Sequence, residues 1–365
     1  MRHFQQPSPF PLLRILTLIG ATLSLPAVLT AQGLENTETR VDETAASAWE
    51  PVIVLTEDAQ VFRGNEPGPK LPPGSITYIS TRNGEWLLVP RYNSWIHQKH
   101  VLALPAALQS LNEQISKQPN GPLHHYRGIV NSELGRAEPA LQDFAEAIKL
   151  GVDSASVYLN RGLAWQRSGH RANALDDFNK AIGKDANDPQ AYFNRGVLHI
   201  EMEQPKEAML DFNAAIRADP KFAEAYNNRG LLLQERGDLA DALANFNHAI
   251  KLRPRFPAAL TNRAFLHQEQ GEWAEAIEDY AAALKMAPDS HPTLNDLAWV
   301  LATCPQRDDR NGEFAMRYAE RANELTGGRL PDYLDTLAAA LAEAGDFDRA
   351  VTVATQAIEL TEMPR

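Results

Sequence analysis

From residue 121 onward, small and aromatic residues recur along the chain at intervals of 34 positions. In five copies an arginine stands directly before a glycine or alanine, and an alanine, an aromatic residue and a second alanine follow that small residue by 12, 16 and 19 positions. The five motifs are Tyr126-Arg127-Gly128, Asn160-Arg161-Gly162, Asn194-Arg195-Gly196, Asn228-Arg229-Gly230 and Asn262-Arg263-Ala264. Two diverged copies follow, at Asp296-Leu297-Ala298 and Thr336-Leu337-Ala338. Each copy is predicted to form two helices, and small residues at facing positions would let them approach closely.

This pattern resembles the tetratricopeptide repeat, and seven copies span residues 121–361. The resemblance implies a mainly α fold, a right-handed α-solenoid of helical hairpins in which the first helix of each repeat lines a concave surface. Residues 105–120 match only the second-helix pattern. Because repeat arrays need capping elements, we expect a half-repeat helix there.

A glycine near the end of the first helix is expected to adopt a left-handed conformation and to stop the helix. Five copies carry one, at Gly135, Gly169, Gly237, Gly271 and Gly345. The third copy has Glu203-Gln204-Pro205 instead. We therefore predict a differently shaped turn in that copy.

Between residues 48 and 104 the pattern changes to short β-branched or aromatic runs separated by Gly, Pro and Asn, which is typical of strands. We predict a small all-β barrel of five strands: Val52 to Leu55, Gln60 to Phe62, Ile76 to Ser80, Trp86 to Val89 and Ser94 to His97. Arg82-Asn83-Gly84 is predicted to be a hairpin turn, because Asn-Gly supplies positive backbone dihedrals.

The β segment resembles the bacterial SH3-like domains in three runs: Gly84-Glu85-Trp86-Leu87-Leu88-Val89, Ser94-Trp95-Ile96-His97 and Val101-Leu102. The resemblance implies ligand recognition, of peptides or cell-wall material, although many members of that family are spacers. Trp86 and Trp95 are then either a binding platform or part of the barrel core. Because large rings bury the most area, the core interpretation is favoured.

The first 33 residues have the pattern of a secretory signal peptide. They contain Arg2 and Arg14 but no acidic residue, run apolar from 15 to 29, and end in small residues before Leu34. Residues 34–47 are polar and are predicted to be a linker. We expect an exported bacterial protein, periplasmic or extracellular, with no membrane insertion after cleavage.

The arginine of each motif stands where the usual repeat carries an apolar residue, so it needs a partner if it is buried. The second helices supply a polar residue 16 positions later: Asp143, Asp177, Asp211, Asn245 and Asp279. In the last two copies the arginine becomes Leu297 or Leu337, and the acid becomes Tyr318 or Val353. Because both partners change together, we predict structural ion pairs within the repeats.

Asparagines precede four of these arginines, at Asn160, Asn194, Asn228 and Asn262. On the concave surface they would form a ladder, and an amide can both donate to and accept from a peptide backbone. The ladder resembles that of O-linked N-acetylglucosamine transferases, in which it grips extended polypeptide; no catalytic domain of that family is present. The alternative is that these asparagines are solvated or cap helices locally. Glutamines and glutamates nearby favour a basic or backbone-presented ligand: Gln166, Gln234, Gln268, Glu201, Glu235 and Glu269.

Composition narrows the possible functions. The formal net charge is -12, from 35 basic and 47 acidic residues, which disfavours a nucleic-acid partner. The single cysteine, Cys304, allows no intrachain disulfide and is interpreted as an apolar filler. The sequence has no zinc, phosphate-loop, dinucleotide or nucleophile-elbow motif. We therefore expect no catalytic residue, no metal and no cofactor.

Two functions follow from these observations. The first is an exported, non-catalytic scaffold that binds extended peptide or protein segments in the concave groove. The second is a structural component of the cell envelope, whose SH3-like domain contacts cell-wall polymer and whose repeats space or assemble complexes.

Overall fold

The computed structural model describes residues 50–54, 56–64, 66–89 and 94–362. The predicted signal peptide and linker, residues 1–33 and 34–47, lie outside the described residues. The chain divides into two compact units, residues 1–225 and 226–365, and the division falls within a helix.

The first unit begins with a β region of eight strands in its described part. They are β1 (Glu50–Val54), β2 (Gln60–Arg63), β3 (Glu66–Lys70), β4 (Ile76–Ile79), β5 (Thr81–Asn83), β6 (Trp86–Val89), β7 (Ser94–His97) and β8 (Val101–Ala103). The strands form two antiparallel sheets, one in the order β4-β1-β8 and one in the order β3-β2-β7-β6-β5.

The five predicted strands are confirmed, and β3, β5 and β8 were missed. Pro67 and Pro69 obscured β3, which tolerates them because it lies at a sheet edge and need not donate on both sides. The hairpin turn was misplaced by one residue: Asn83 pairs with Trp86, so the turn consists of Gly84 and Glu85. Gly84 has a φ of 59°, as a first central residue of such a turn often does.

The side chains of alternate strand residues separate a core from an outer face. Val61, Leu87, Val89 and Ile96 are buried in the cluster that also takes residues from the three-stranded sheet. The interpretation of Trp86 as a core residue is wrong: its side chain is 39% exposed. The reason is the strand period of two, which turns Leu87 inward and its neighbour Trp86 outward.

Fifteen helices follow in the described part of the chain, in a tetratricopeptide-like array. They are α1 (Leu104–Lys117), α2 (Gly121–Glu133), α3 (Ala137–Lys149), α4 (Ala155–Arg167), α5 (Arg171–Lys184), α6 (Pro189–Glu201), α7 (Pro205–Ala218), α8 (Ala223–Glu235), α9 (Leu239–Leu252), α10 (Pro257–Gln270), α11 (Trp273–Met286), α12 (His291–Thr303), α13 (Gly312–Thr326), α14 (Pro331–Glu343) and α15 (Phe347–Glu362). Even-numbered helices are the first helices of the seven repeats, and α1 precedes them.

The β region is packed against the start of the helical array. Ile53 and Ile76 of the three-stranded sheet form one buried cluster with Ala107 and Leu111 of α1 and Val130 of α2. A Cβ atom on Gly74 would lie 2.6 Å from the ring of Tyr126, so this contact leaves no room for a side chain. The sheet, α1 and α2 therefore share a core.

In the first four repeats the helix pair closes where a glycine meets an aromatic ring of the same repeat. A Cβ atom on Gly128, Gly162, Gly196 or Gly230 would lie 2.7 to 2.8 Å from the ring of Phe144, Phe178, Phe212 or Phe246, respectively. The fifth copy has Ala264 and Tyr280 at these positions, and the Tyr280 hydroxyl donates to Gln268 at 3.1 Å. The predicted close approach of the two helices is confirmed.

The turn after the first helix of the third copy has the same shape as the glycine turns of the other copies, which contradicts our prediction of a different shape. The five predicted glycines have φ values between 73° and 86°. Glu203 has a φ of 59° and is the one non-glycine residue with a positive φ in the described ranges. Its amide donates to the Ile200 carbonyl at 3.0 Å, and the next amide donates to the His199 carbonyl at 2.8 Å, as the glycine turns do. The turn therefore keeps the same shape, because hydrogen bonding and the following helix impose it on a residue that disfavours it.

Replacing Glu203 by glycine is expected to raise the free energy of unfolding by about 1 kcal/mol, since a left-handed backbone is strained for a residue with a Cβ atom. The matched control is Gly169→Glu, at the same position of the preceding copy, which should lower stability by a similar amount. Urea denaturation followed by circular dichroism measures both. A Glu203→Gly protein no more stable than wild type would show that the turn is not strained.

Candidate functional site

The arginines of the repeat motif are held inside the repeats. Two guanidinium N–H groups of Arg127, Arg161, Arg195 and Arg263 donate to the carboxylate 16 residues later, at 2.6 to 3.0 Å. The four carboxylates, Asp143, Asp177, Asp211 and Asp279, are all at most 7% exposed. The predicted ion pairs are confirmed, and their bidentate geometry is the strong form of this interaction.

Some of these arginines also donate a hydrogen bond to a side chain of the preceding repeat. In the first unit, Arg195 Nη1 donates to Asn179 Oδ1 at 2.7 Å, and its guanidinium lies 5.8 Å from the ring centre of Tyr192. In the second unit, Arg263 Nη1 donates to Asn247 Oδ1 at 2.6 Å. Arg195 and Arg263 each bind a carboxylate of their own repeat and an amide of the preceding repeat. Each of them therefore stabilises the contact within its repeat and the contact with the preceding repeat.

The fourth copy has a neutral partner in this position. Arg229 Nε donates to Asn245 Oδ1 at 2.9 Å, and burial lowers the pKa of the Arg229 guanidinium. An amide cannot offset the cost of burying a charge as a carboxylate does. This copy therefore gains less from the interaction than its neighbours.

The four asparagines of the predicted ladder are less accessible than an open groove would make them. Asn160 is half-buried, whereas Asn194, Asn228 and Asn262 are only 1 to 2% exposed. In the second unit, Asn262 Nδ2 donates to Asn227 Oδ1 at 2.8 Å, and Asn227 Nδ2 donates to Asn228 Oδ1 at 3.1 Å. The asparagines thus lie between consecutive first helices.

Three amide atoms of this buried set keep an unused hydrogen-bonding capacity. Asn194 Nδ2, Asn228 Nδ2 and Asn262 Oδ1 are buried and have no partner among the described residues. Asn295 Oδ1, on α12, is in the same state. Buried polar atoms normally have a partner, so these atoms mark positions at which a ligand or ordered water would gain a hydrogen bond.

Consecutive first helices are joined by polar side chains that are 35 residues apart. In the first unit Asn160 Nδ2 contacts His125 Nε2 at 3.2 Å, and Gln166 donates to Glu201 at 2.6 Å. In the second unit Gln234 donates to Glu269 at 2.5 Å. The sequence analysis missed His125 and Asn227, which stand 35 residues before their ladder partners Asn160 and Asn262.

Burial shifts the pKa values of two side chains of the first unit, His125 and Glu201, in opposite directions. It lowers the pKa of His125 to about 4, so the ring is neutral near pH 7 and Nε2 can accept from Asn160. It raises the pKa of the Glu201 carboxyl, and the hydrogen bond from Gln166 opposes this effect. A cation bound beside Glu201 would favour its ionised form.

The first helices of the second unit carry acids and an exposed indole. The helices α10, α12 and α14 contain one arginine, the paired Arg263, and no lysine. Glu269 and Asp335 are exposed on them, and the Trp299 side chain is 38% exposed. Asn262, Phe265 and Glu269 share one stripe of α10, as Asn295, Trp299 and Thr303 do on α12, because residues three or four apart lie on one helix face. We call these two stripes, together with the exposed Asp335 of α14, the first-helix face of the second unit.

A second exposed aromatic surface lies on the five-stranded sheet. Phe62 pairs with Trp95 and Trp86 pairs with His97 across neighbouring strands, so all four side chains share one face. The ring of Trp86 meets those of Phe62 and His97 edge to face, at 5.8 and 5.2 Å between centres. We call this the outer aromatic face.

The single cysteine and the residues inserted after it show no reactive site in the described ranges. Cys304 is buried, its Sγ donates to the Gln306 carbonyl at 3.3 Å, and burial raises the pKa of the thiol, which agrees with a packing role. The inserted residues after it form a short 3-10 turn, Arg307–Asp309. No group of three His, Cys, Asp or Glu side chains within 50–362, gaps aside, could hold a metal ion. No helix in the described part has the length and hydropathy to cross a bilayer.

Comparisons with known proteins identify the repeats. A family model described as tetratricopeptide repeat matches residues 160–221, 193–255 and 227–291, so the repeat type predicted from the sequence is confirmed there. The Cut9–Hcn1 hetero-tetramer of APC/C is similar in structure, with a TM-score of 0.57 and 13% identity over 65% of this chain and 46% of that one. Yeast Tom70 has a TM-score of 0.50 and 19% identity over 71% of this chain and 55% of that one. Both similarities show a tetratricopeptide-type helical fold. No curated protein sequence matches the chain significantly.

The Arg195→Leu substitution is expected to lower the free energy of unfolding by about 3 to 5 kcal/mol, because it leaves the carboxylate of Asp211 buried without its main partner. The double substitution Arg195→Leu with Asp211→Val should recover most of that loss, since Leu337 and Val353 occupy these positions in the last copy. Chemical denaturation of both variants measures the difference. A single variant as stable as wild type would contradict a structural role for the pair.

Proposed function

We propose that this protein is an exported, non-catalytic scaffold that binds extended, basic peptide or protein segments along its first helices. The observation that carries the proposal is the first-helix face of the second unit. That face combines buried amide atoms without a protein partner, exposed acids and an exposed indole. Arg263, the arginine of the same helices, is bound to the carboxylate of Asp279 in its own repeat.

The amides favour an extended backbone as the ligand. Asn228 Nδ2 is an unused donor, and Asn262 Oδ1 and Asn295 Oδ1 are unused acceptors. A peptide backbone offers both an N–H and a carbonyl at each residue, so one segment can satisfy both kinds of atom. The ladder residues Asn160, Asn194, Asn228 and Asn262 form the floor of the proposed binding surface, and rotation of an amide side chain admits the ligand.

The charges favour lysine and arginine in the bound segment. Glu269 and Asp335 attract a cation, and no lysine on α10, α12 or α14 competes with it. Trp299 adds a face on which an ammonium or guanidinium group can stack. Complementary charge of this kind raises the association rate and rejects acidic partners.

Export follows from the pattern of residues 1–33, whose basic start and apolar run are those of a signal peptide. We further propose that the β region is an SH3-like barrel that precedes the helical repeats. Because it shares a core with α1 and α2, it forms a fixed extension of the helical repeats.

A second candidate function is supported by the outer aromatic face. An exposed aromatic side chain on a sheet suits stacking against a polymer, and Trp86 is exposed there beside the half-buried Phe62. In this function the protein is a structural envelope component that contacts cell-wall polymer through the β region and uses the repeats to assemble complexes.

Binding of unstructured peptides to the full chain tests the first function. A 12-residue peptide with four lysines should bind, and the same peptide with four glutamates should not. Trp299→Ala is expected to weaken binding by about tenfold, since a stacked cation contributes about 1 to 2 kcal/mol. The matched control is Phe314→Ala, which removes a ring that is 48% exposed on the second helix α13.

Titration calorimetry measures the affinities, and circular dichroism verifies folding. Equal binding of both peptides, or equal effects of the two substitutions, would contradict the proposal. Co-sedimentation with insoluble wall polymer discriminates the second function, because Trp86→Ala should then abolish binding and Trp299→Ala should leave it intact.

A further inference from the structure

A cavity of about 450 Å³ opens between α1, α2 and α3 in the first unit. This volume lies in the range of sites for small molecules. Its wall includes Asn112 of α1, His124, Arg127 and Asn131 of α2, and Arg136 and Gln142 beyond it. The second helices α1 and α3 contribute to it, so it is separate from the surface that the proposed peptide ligand uses.

Two short side chains at specific repeat positions explain the space. The next repeat carries Tyr158 in the position of His124 and Trp165 in the position of Asn131, each 34 residues later. The Tyr158 ring lies 5.7 Å from the guanidinium of Arg161, so it covers the arginine of its repeat. In the first repeat no ring of this size covers Arg127, and its guanidinium faces the cavity.

The polar groups around the cavity are organised by Asp143. Asp143 is 4% exposed, and its carboxylate accepts hydrogen bonds from Arg127 and from Asn131 Nδ2, the latter at 2.9 Å. The carboxylate also lies 3.1 Å from His124 Nδ1. Arg127 Nη1 donates to Asn112 Oδ1 at 2.8 Å. The arrangement fixes the direction of both Arg127 and His124.

Several donors remain available after these contacts. A guanidinium carries five N–H groups, and the hydrogen bonds of Arg127 leave two of them unused. Arg136 is exposed, and its side chain has no hydrogen-bond or ion-pair partner within the described ranges. The amides of Asn112 and Gln142 add neutral polar groups.

We infer that this cavity binds a ligand through a carboxylate group, held by Arg136 together with the free N–H groups of Arg127. Guanidinium and carboxylate form two parallel hydrogen bonds, which suits a planar monoanion. Asp143 and Glu146 also line the cavity and repel a doubly charged phosphate more strongly than a carboxylate. Asn112 and Gln142 suit the amide groups of a peptide-like remainder.

Four probes separate the sources of the carboxylate: propionate, an acetylated tripeptide with a free C-terminus, the same tripeptide amidated, and inorganic phosphate. Calorimetry on the full chain should show saturable binding of a carboxylate and at least tenfold weaker binding of the amidated tripeptide and phosphate. Binding of propionate alone assigns a small acid, and binding of the tripeptide alone assigns a chain terminus.

Arg136→Ala should weaken carboxylate binding at least tenfold, because it removes a charge-assisted hydrogen bond. Lys206→Ala removes another exposed positive charge, on α7, and should leave the affinity unchanged. Asn131→Trp fills the cavity with the residue of the next repeat and should abolish binding. If the Asn131→Trp variant fails to fold, the carboxylate affinity of the Arg136→Ala variant is the deciding measurement. Absence of saturable carboxylate binding, tighter binding of phosphate, or unchanged affinity in Arg136→Ala would overturn the inference.

Discussion

The close approach of two helices at a glycine or alanine is the constraint on which each repeat depends. A side chain on Gly128 or Gly162 would overlap the phenylalanine ring of the paired helix, so this position admits only the smallest residues. The residue before the glycine points into the same interface. In this protein that residue is arginine, and burying its charge requires a carboxylate at the matching position of the second helix.

This internal pairing has a consequence for the surface. The arginines are fixed to Asp143, Asp177, Asp211 and Asp279 and cannot neutralise acids elsewhere. The first helices of the second unit are left with Glu269, Asp335 and the indole of Trp299. The same interaction that closes the repeats thus gives the proposed binding surface its acidic character. Where the arginine loses its covering ring, as in the first repeat, it borders a cavity instead.

Features that depend on positions within one repeat were predictable from the sequence. The glycine, the phenylalanine and the aspartate recur at fixed distances, so their partners could be named before the structure was known. The burial of Asn194, Asn228 and Asn262 depends on packing against another repeat, and the pattern of a single copy does not contain it. The exposure of Trp86 was also missed, because both faces of β6 carry large apolar residues and the periodicity alone does not tell which face packs inward. The turn at Glu203 shows the reverse case, in which hydrogen bonds impose a conformation against the preference of the residue.

In our proposal the arginine–carboxylate pairs close the repeats that contain them, and the first helices of the second unit bind the ligand. Hydrogen–deuterium exchange with and without the lysine-containing peptide tests it directly. We predict slower exchange in α10 and α12 on binding, with α11 and α13 unchanged. Protection confined to α11 and α13, or to the β region, would contradict the account.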